Sequence, residues 1–172
     1  MKRIPYLIIT LAIVVLDAVT KWIVNQRISL HQSIPVIPDF FHLVHVRNTG
    51  AAFGIGANAQ SGIVPILLNA GAIAVFFVVV VYAWRTAVTD RVLQVGLHLI
   101  LGGAIGNLAD RFRFGYVVDF LDVFVTIGGR EHHWPAFNVA DSAICVGIAL
   151  LFLDMRRKPE TKKAAVGPAS YS

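Results

Sequence analysis

The sequence is poor in charge, and that scarcity excludes most soluble folds. Charged residues make up 15% of the 172 positions, whereas the hydrophobic classes make up 56%. A soluble domain of this size would leave much of that apolar surface against water. The mean hydropathy of +0.69 therefore indicates an integral membrane protein.

Cysteine and the common hydrolase motifs are also scarce. Cys145 is the only cysteine, which excludes an internal disulfide and a multi-cysteine metal cage. It lies in an apolar run, so we expect a small packed side chain and not a nucleophile. The chain lacks the H-E-x-x-H and G-x-S-x-G patterns, and the adjacent His132 and His133 would point apart in regular structure. We predict neither a metal site nor a cofactor.

Four apolar segments reach or approach the length that crosses a membrane. A bilayer core of ~30 Å needs roughly 20 helical residues. We predict one membrane domain over residues 1–157 and a mobile cytoplasmic tail over 158–172, where Pro, Ser, Ala and Lys are frequent. The predicted spans cover about residues 4–24, 63–84, 92–108 and 136–155.

Some stretches between the spans have strand patterns. His42–Arg47 alternates apolar and polar residues, and Ser33–Ile37 is partly β-branched, so short strands of a small surface sheet are predicted there. Phe114–Val125 is rich in valine and aromatic residues. That composition suits either an extended segment or a short surface helix.

The basic residues predict the orientation of the chain. If the N-terminus lies inside, nine lysines and arginines fall on the inner side and six on the outer side, which favours both termini in the cytoplasm. These residues flank apolar spans and form no single basic face, so membrane lipids are favoured as partners over nucleic acid. The inner set is Lys2, Arg3, Arg85, Arg91, Arg156, Arg157, Lys158, Lys162 and Lys163, and the outer set is Lys21, Arg27, Arg47, Arg111, Arg113 and Arg130.

That topology collects the unusual polar residues at one membrane face. Asp17 and Lys21 are four residues apart, so they share a helix face and either form an interfacial ion pair or support a site. In the third span, Asn107 and Arg111 lie on one side, and Asp110 is either structural or part of the site. The small residues Gly102 and Gly106 have the spacing of close helix packing, and that glycine-rich face would also make room for a substrate.

Two aspartates carry the chemical hypothesis. Asp119 interrupts an apolar run, and Asp141 lies too far into the fourth span for a simple helix cap. Closely spaced carboxyls cannot both ionise cheaply, so one would deprotonate water while the other, protonated, would polarise a carbonyl and help to expel an amine. A proton-coupled transporter that uses intramembrane acids and a non-enzymatic membrane assembly factor stay open as alternatives.

Five blocks of the sequence resemble bacterial lipoprotein signal peptidase, also called signal peptidase II. The resemblance covers about residues 4–155, and Ala18 departs from a glutamine that is frequent after the first aspartate. The blocks are Asp17…Lys21, Asn48–Phe53 (NTGAAF), Gly102–Arg111 (GGAIGNLADR), Val117–Phe120 (VVDF) and Phe137–Ile144 (FNVADSAI).

The resemblance implies an aspartic endopeptidase of the bacterial inner membrane with its active site at the periplasmic face. Such enzymes cleave prolipoproteins just before a cysteine that carries diacylglycerol, and globomycin-type peptides inhibit them. The implied fold is an all-α integral membrane protein with four transmembrane helices, a small β-cradle and a short helix on the periplasmic face. The implied catalytic residues are Asp119 and Asp141, the substrate-binding residues are Asn48, Asn107, Arg111 and Asn138, and the supporting residues are Asp17, Lys21, Gly103 and Asp110.

Overall fold

The computed structural model describes residues 3–50 and 63–157. The predicted tail over 158–172, and the Ala51–Phe53 part of the NTGAAF block, lie outside the described residues. The described chain forms four long helices and a four-stranded antiparallel sheet. In chain order these are α1 (Ile4–Arg27), β1 (Ser33–Ile37), β2 (Phe41–Asn48), α2 (Ile63–Arg85), α3 (Arg91–Phe114), β3 (Val117–Ile127), β4 (Arg130–His133) and α4 (Val139–Arg157).

The ends of α1 and α3 follow from local chemistry. Pro5 stands in the first turn of α1, where its missing N–H has no intrahelical acceptor to lose. At the other end Ile28 turns to extended backbone while its N–H still donates to the Val24 carbonyl. Helix α3 ends at Gly115, whose φ of 77° places it in the left-handed region that suits glycine at a helix end. Each helix has 24 residues, or about 36 Å of helix.

Helix α3 is the central element, because α1, α2 and α4 all pack against it. The packing is close on the side of Gly102, Gly103 and Gly106, which are buried. A Cβ at Gly103 would collide with the Ala140 carbonyl oxygen of α4. Neighbouring helices therefore occupy the glycine-rich face, so the prediction that it makes room for a substrate is wrong, and the packing alternative holds.

The sheet is antiparallel with its strands in the order β1-β2-β3-β4, although α2 and α3 lie between β2 and β3 in the chain. Both predicted strands are present, as β1 and β2, and the segment with two alternatives is extended, as β3. Gly128 and Gly129 have φ values of 60° and 75°, which suits the tight turn of a hairpin between β3 and β4. Residues 28–50 and 115–138 contain no helix in this structure, so the short periplasmic helix is not found there. Residues 51–62 lie outside the described chain.

Strand β3 is fixed to the start of α4. The backbone N–H groups of Phe120 and Leu121 both donate to the Phe137 carbonyl, at 2.9 and 2.8 Å, and Phe137 donates back to Leu121 at 3.0 Å. On its other side β3 packs Val118 and Phe120 against the end of α1. The strand that carries Asp119 is thus attached to the two helices that carry Lys21 and Asp141.

Among the described residues, α1 and α3 are long and apolar enough to cross a membrane. The apolar part of α2 covers Asn69–Arg85 and is shorter. Large apolar side chains on α1, α2 and α4 point away from the protein, which suits helices whose surroundings are also apolar. Examples are Leu11 and Trp22 on α1, Val78 and Trp84 on α2, and Phe152 on α4.

Candidate active site

Asp119 and Asp141 open onto one cavity, although they come from different elements. Asp119 is on β3 and is 2% exposed, and Asp141 is in the first turn of α4. The expectation that Asp141 lies too deep in its span for a cap is wrong, because α4 begins only at Val139 and Asp141 Oδ2 accepts the backbone N–H of Asn138 at 3.3 Å. The cavity has a volume of about 440 Å³ and lies between the end of β2, strand β3, the segment 134–137 and the start of α4. Its other lining residues are mostly apolar: Asn48, Val123, Trp134, Pro135, Ala136, Phe137, Ser142 and Cys145.

A second cavity reaches the same two carboxyl groups from the side of α2 and α3. Its volume is about 240 Å³, and it also contacts Asn48. The two aspartates therefore stand between two cavities, each with largely apolar walls. The remaining lining residues of the second cavity are Gly71, Ala72, Val75, Ile100, Ala104, Asn107, Leu108, Arg111, Val117 and Ile144.

Three asparagine amides hold the two carboxyl groups. Asn48 Nδ2 donates to Asp119 Oδ2 at 2.9 Å, and Asn138 Nδ2 donates to Asp119 Oδ1 at 2.8 Å. Asn107 Nδ2 donates to Asp141 Oδ1 at 2.8 Å. Asn138 also joins the pair, because its Oδ1 accepts the backbone N–H of Asp141 at 2.9 Å. Neutral donors thus fix both carboxyl groups without neutralising them.

Burial raises the pKa of Asp119 from its usual range to about 7. The hydrogen bonds from Asn48 and Asn138 act in the opposite direction, and the neighbouring charge of Asp141 raises the pKa further. Removing a carboxylate from water disfavours its charged form, and a second carboxylate nearby adds repulsion. At neutral pH this pair can therefore hold one proton and one negative charge, which supplies an acid and a base.

Lys21 lies near the pair of Asp119 and Asp141 but contacts neither of their carboxyl groups. Its ammonium is 2.7 Å from Asp17 Oδ2 and 3.0 Å from Asp110 Oδ2, and it donates to Asn107 Oδ1 at 3.0 Å. Asp17 continues the network, because its Oδ1 accepts the backbone N–H of Ala140 at 3.0 Å. The predicted pairing of Asp17 with Lys21 is confirmed as a contact, and both side chains are buried.

Arg111 connects α3 to the end of β2. Its Nη2 donates to the Gly50 carbonyl at 3.0 Å and its Nη1 reaches the Asn107 carbonyl at 3.4 Å. Asn48 also holds this turn, because its Oδ1 accepts the Gly50 N–H at 2.9 Å. Arg111 and Gly50 are 61 positions apart in the chain, so this contact joins two distant segments.

The residues predicted for the site lie together in one network. Asn48, Asn107 and Asn138 contact the aspartates directly, and Gly103 packs against the α4 turn that holds Asp141. Their predicted binding and supporting roles stay predictions. Asn138 is fully buried, and all its side-chain bonds go to protein groups.

The prediction of a packed side chain at Cys145 is wrong. We expected a packed side chain, but Cys145 is exposed and lines the larger cavity one turn after Asp141. Trp134 and Pro135 were also missed as wall residues. Nothing in the sequence around them distinguishes a cavity wall from a loop. The signal that failed at Cys145 was the apolar run, which a helix facing lipid shares with a buried one.

The adjacent histidines lie on β4, away from the aspartate pair. His133 Nδ1 is 2.9 Å from Asp122 Oδ1, and His133 Nε2 is 3.1 Å from Glu131 Oε2. In the chain that the structure describes, no group of three or more His, Cys, Asp or Glu side chains could hold a metal ion.

Comparisons with known proteins agree on one family. The family model described as signal peptidase II matches residues 9–157. A lipoprotein signal peptidase of Syntrophotalea carbinolica is 51% identical over 152 residues, which is 88% of this chain and 89% of that protein. A lipoprotein signal peptidase of Geobacter metallireducens is 46% identical over 154 residues, which is 87% of this chain and 89% of that protein.

Two solved structures of bacterial membrane enzymes have the same fold. One superposes with a TM-score of 0.74 at 28% identity and covers 95% of this chain and 94% of its own. The other superposes with a TM-score of 0.73 at 32% identity and covers 90% of this chain and 94% of its own. The helices and sheet described above are therefore those of a known membrane-enzyme architecture.

Proposed function

This chain belongs to the signal peptidase II family, and we propose on that basis how it removes the signal peptide from prolipoproteins. The reaction is hydrolysis of a peptide bond by an aspartic peptidase. The observation that carries the assignment of residues is the pair Asp119 and Asp141, buried on two elements and open to the same apolar cavity. We assign the catalytic role to these two carboxyl groups.

The pair shares one proton when substrate binds. The ionised member takes a proton from water, and the resulting hydroxide attacks the scissile carbonyl carbon. The protonated member donates a hydrogen bond to the carbonyl oxygen, which stabilises the charge that develops there. When the C–N bond breaks, a proton returns to the leaving amine, and the pair is again singly protonated. The raised pKa of Asp119 supports this shared proton, which belongs to the pair and not to one residue.

The two cavities suit a substrate that is apolar on both sides of the cleaved bond. The cleaved bond would lie between Asp119 and Asp141, with the apolar signal segment on one side and the diacylglyceryl-modified cysteine on the other. We propose that Asn48, Asn107, Arg111 and Asn138 hold the substrate backbone, directly or by fixing the groups that touch it. Globomycin-type peptides would occupy the same cavities.

We propose that all four long helices span the bacterial inner membrane, with both termini in the cytoplasm and the aspartate pair at the periplasmic face. The outward apolar side chains of α1, α2 and α4 support the spans. The distribution of basic residues supports the orientation. The tail over 158–172 would then be cytoplasmic. Membership in a peptidase family favours this function over the transporter alternative.

The test is a gel-shift cleavage assay on a diacylated precursor with the full chain in detergent or lipid. We expect Asp119→Asn and Asp141→Asn each to lower the cleavage rate by about 10²- to 10⁴-fold, the usual contribution of a general acid or base. Asp39→Asn is the matched control, because Asp39 is an exposed residue of the β1–β2 turn with a φ of 59° that asparagine tolerates. Full cleavage by either aspartate variant would refute the assignment.

A further inference from the structure

Lys21 is a buried cation whose three hydrogen-bond donors are all committed. The side chain is 4% exposed, and a lysine ammonium has three donors and no acceptor. Two of them bind carboxylates, Asp17 at 2.7 Å and Asp110 at 3.0 Å. The third binds a neutral group, the Oδ1 atom of Asn107 at 3.0 Å. A residue that only neutralised acids would not need this third contact.

The contact with Lys21 fixes the orientation of the Asn107 amide. An asparagine amide is turned by its partners, since its oxygen accepts and its nitrogen donates. The Asn107 oxygen faces two donors, Lys21 Nζ at 3.0 Å and Asn138 Nδ2 at 3.2 Å. Its nitrogen must then face Asp141 Oδ1, at 2.8 Å. If the amide were flipped, its N–H groups would face the two donors, and its oxygen would face the Asp141 carboxylate.

The charge of Lys21 also acts on the pair from behind. Four carboxyl groups, those of Asp17, Asp110, Asp119 and Asp141, face this region, and the cations among them are Lys21 and Arg111. Without Lys21 one cation would remain beside four acids. The pair would then take up its second proton at a higher pH, and a doubly protonated pair has no base.

We propose that Lys21 is a positioning residue for the aspartate pair: it holds the Asn107 amide with its N–H toward Asp141 and keeps the pair singly charged, while touching neither carboxyl group. This inference rests on the proposed function, because it concerns the charge state in which that pair hydrolyses the substrate. It assigns no proton to one aspartate.

A simpler role for Lys21 makes a different prediction. If Lys21 only balances the buried charge of Asp17, then removing both charges together should restore the wild-type enzyme. The double variant Asp17→Asn with Lys21→Met does this with no change in net charge, and the amide oxygen that it introduces can still accept the Ala140 N–H. If Lys21 acts on the pair through Asn107 and through its charge, the double variant should regain stability but keep an altered pH profile.

The experiment measures the cleavage rate of a diacylated precursor against pH for the wild type, Lys21→Met, the double variant and Lys21→Arg. We expect the acidic limb of the profile to move up by about 0.5 to 1 pH unit in Lys21→Met. In the double variant it should move up by a smaller amount, because the loss of Asp17 offsets part of the lost charge, while the charge of Lys21 acts directly on both members of the pair. Both shifts are less than the one to three units that a directly adjacent charge produces. Lys21→Arg keeps the charge and the donors, so its limb should stay with the wild type even if its rate falls.

Thermal unfolding of each variant separates folding from the proposed role. If Lys21→Met does not fold, the double variant and Lys21→Arg carry the test. A double variant with the wild-type rate and profile would overturn the proposal, as would a Lys21→Arg profile that moves as far as that of the double variant. If the wild type itself left the diacylated precursor uncut, the proposed function would fail instead, so the two failures are distinguishable.

Discussion

Strand β3 carries two buried aspartates three residues apart that have opposite surroundings. Asp119 is 2% exposed and Asp122 is 8% exposed. Residues at i and i+3 of a strand point to opposite faces. Asp119 lies on the face that borders the cavity beside α4. Asp122 points instead to β4, where His133 Nδ1 lies 2.9 and 3.0 Å from its two oxygens.

The partners of the two aspartates differ in charge. Asp119 accepts hydrogen bonds from the neutral amides of Asn48 and Asn138 and has a second acid near it. Asp122 faces His133, whose pKa is raised above its usual value chiefly by the hydrogen bond to Asp122. An imidazolium neutralises a carboxylate, whereas an amide only orients it. Burial alone therefore does not identify a catalytic acid.

The largest expected effect is a difference between two isosteric variants on this one strand. Asp119→Asn should lower the cleavage rate by about 10²- to 10⁴-fold, whereas Asp122→Asn should lower it less than about tenfold, because only the β3–β4 contact is weakened. The measurement is the initial rate of cleavage of a diacylated precursor, with thermal unfolding as the check on folding. Equal losses in two folded variants would show that the contrast in partners has no catalytic meaning.

The sequence predicted the local parts of this arrangement well. The i, i+4 spacing of Asp17 and Lys21 predicted their pairing, which the structure has at 2.7 Å. The alternation of His42–Arg47 predicted a strand, which is β2. Such features depend on residues that are near one another in the chain.

Contacts between distant segments could not be predicted from patterns. Lys21 meets Asn107 across 86 positions and Asn48 meets Asp119 across 71, and nothing local requires either contact. Cys145 was misjudged because an apolar run has the same composition whether its helix faces lipid, a cavity or the protein interior. In a membrane protein the hydrophobic pattern therefore indicates a span but not which of its faces is functional.

A second variant disturbs the active-site pair without touching Asp122, because it changes the packing of α3 on the start of α4. A Cβ at Gly103 would collide with the Ala140 carbonyl oxygen and with Ile144 Cγ1. Gly103→Ala should therefore displace the start of α4 with Asp141, while leaving Asp122 and its histidine in place. Overpacking of this kind typically costs about 1–3 kcal/mol, and we expect cleavage to fall at least about tenfold.

Gly71→Ala is the matched control for the packing prediction. It lies in α2, and a Cβ there would meet nothing within 4 Å. Alanine is also the better helix former by about 1 kcal/mol, so this variant should keep its stability. Gly71 lines the second cavity, so Gly71→Ala is a control for the unfolding temperature only. The cleavage rate of Gly103→Ala is compared with that of the wild type. If Gly103→Ala kept the wild-type unfolding temperature and cleavage rate, the contact between α3 and the start of α4 would tolerate displacement.

The smallest expected effect is a difference in how the two aspartates make stability depend on pH. The folded pKa of Asp119, about 7, lies above the ordinary value near 4, so the folded state binds the proton more tightly. The stability that this proton contributes is complete below about pH 4 and is lost as pH rises toward 7. His133 also has a raised pKa, but its contribution is lost only as pH rises above its ordinary value near 6.5.

Unfolding temperatures measured from pH 4 to pH 8.5 should separate these two windows. Relative to the wild type, Asp119→Asn should gain stability between pH 4 and 7, by several degrees if one pKa unit is about 1.4 kcal/mol and 1 kcal/mol is about 2–4 °C in a chain of this size. Asp122→Asn should change the slope mainly above pH 6.5, and less, because the His133 side chain is 41% exposed and solvent screens the pair. If the unfolding temperatures of Asp119→Asn and the wild type changed in parallel between pH 4 and 7, the Asp119 carboxyl would have the same pKa in the folded and unfolded states. That result would argue against a proton shared by the pair.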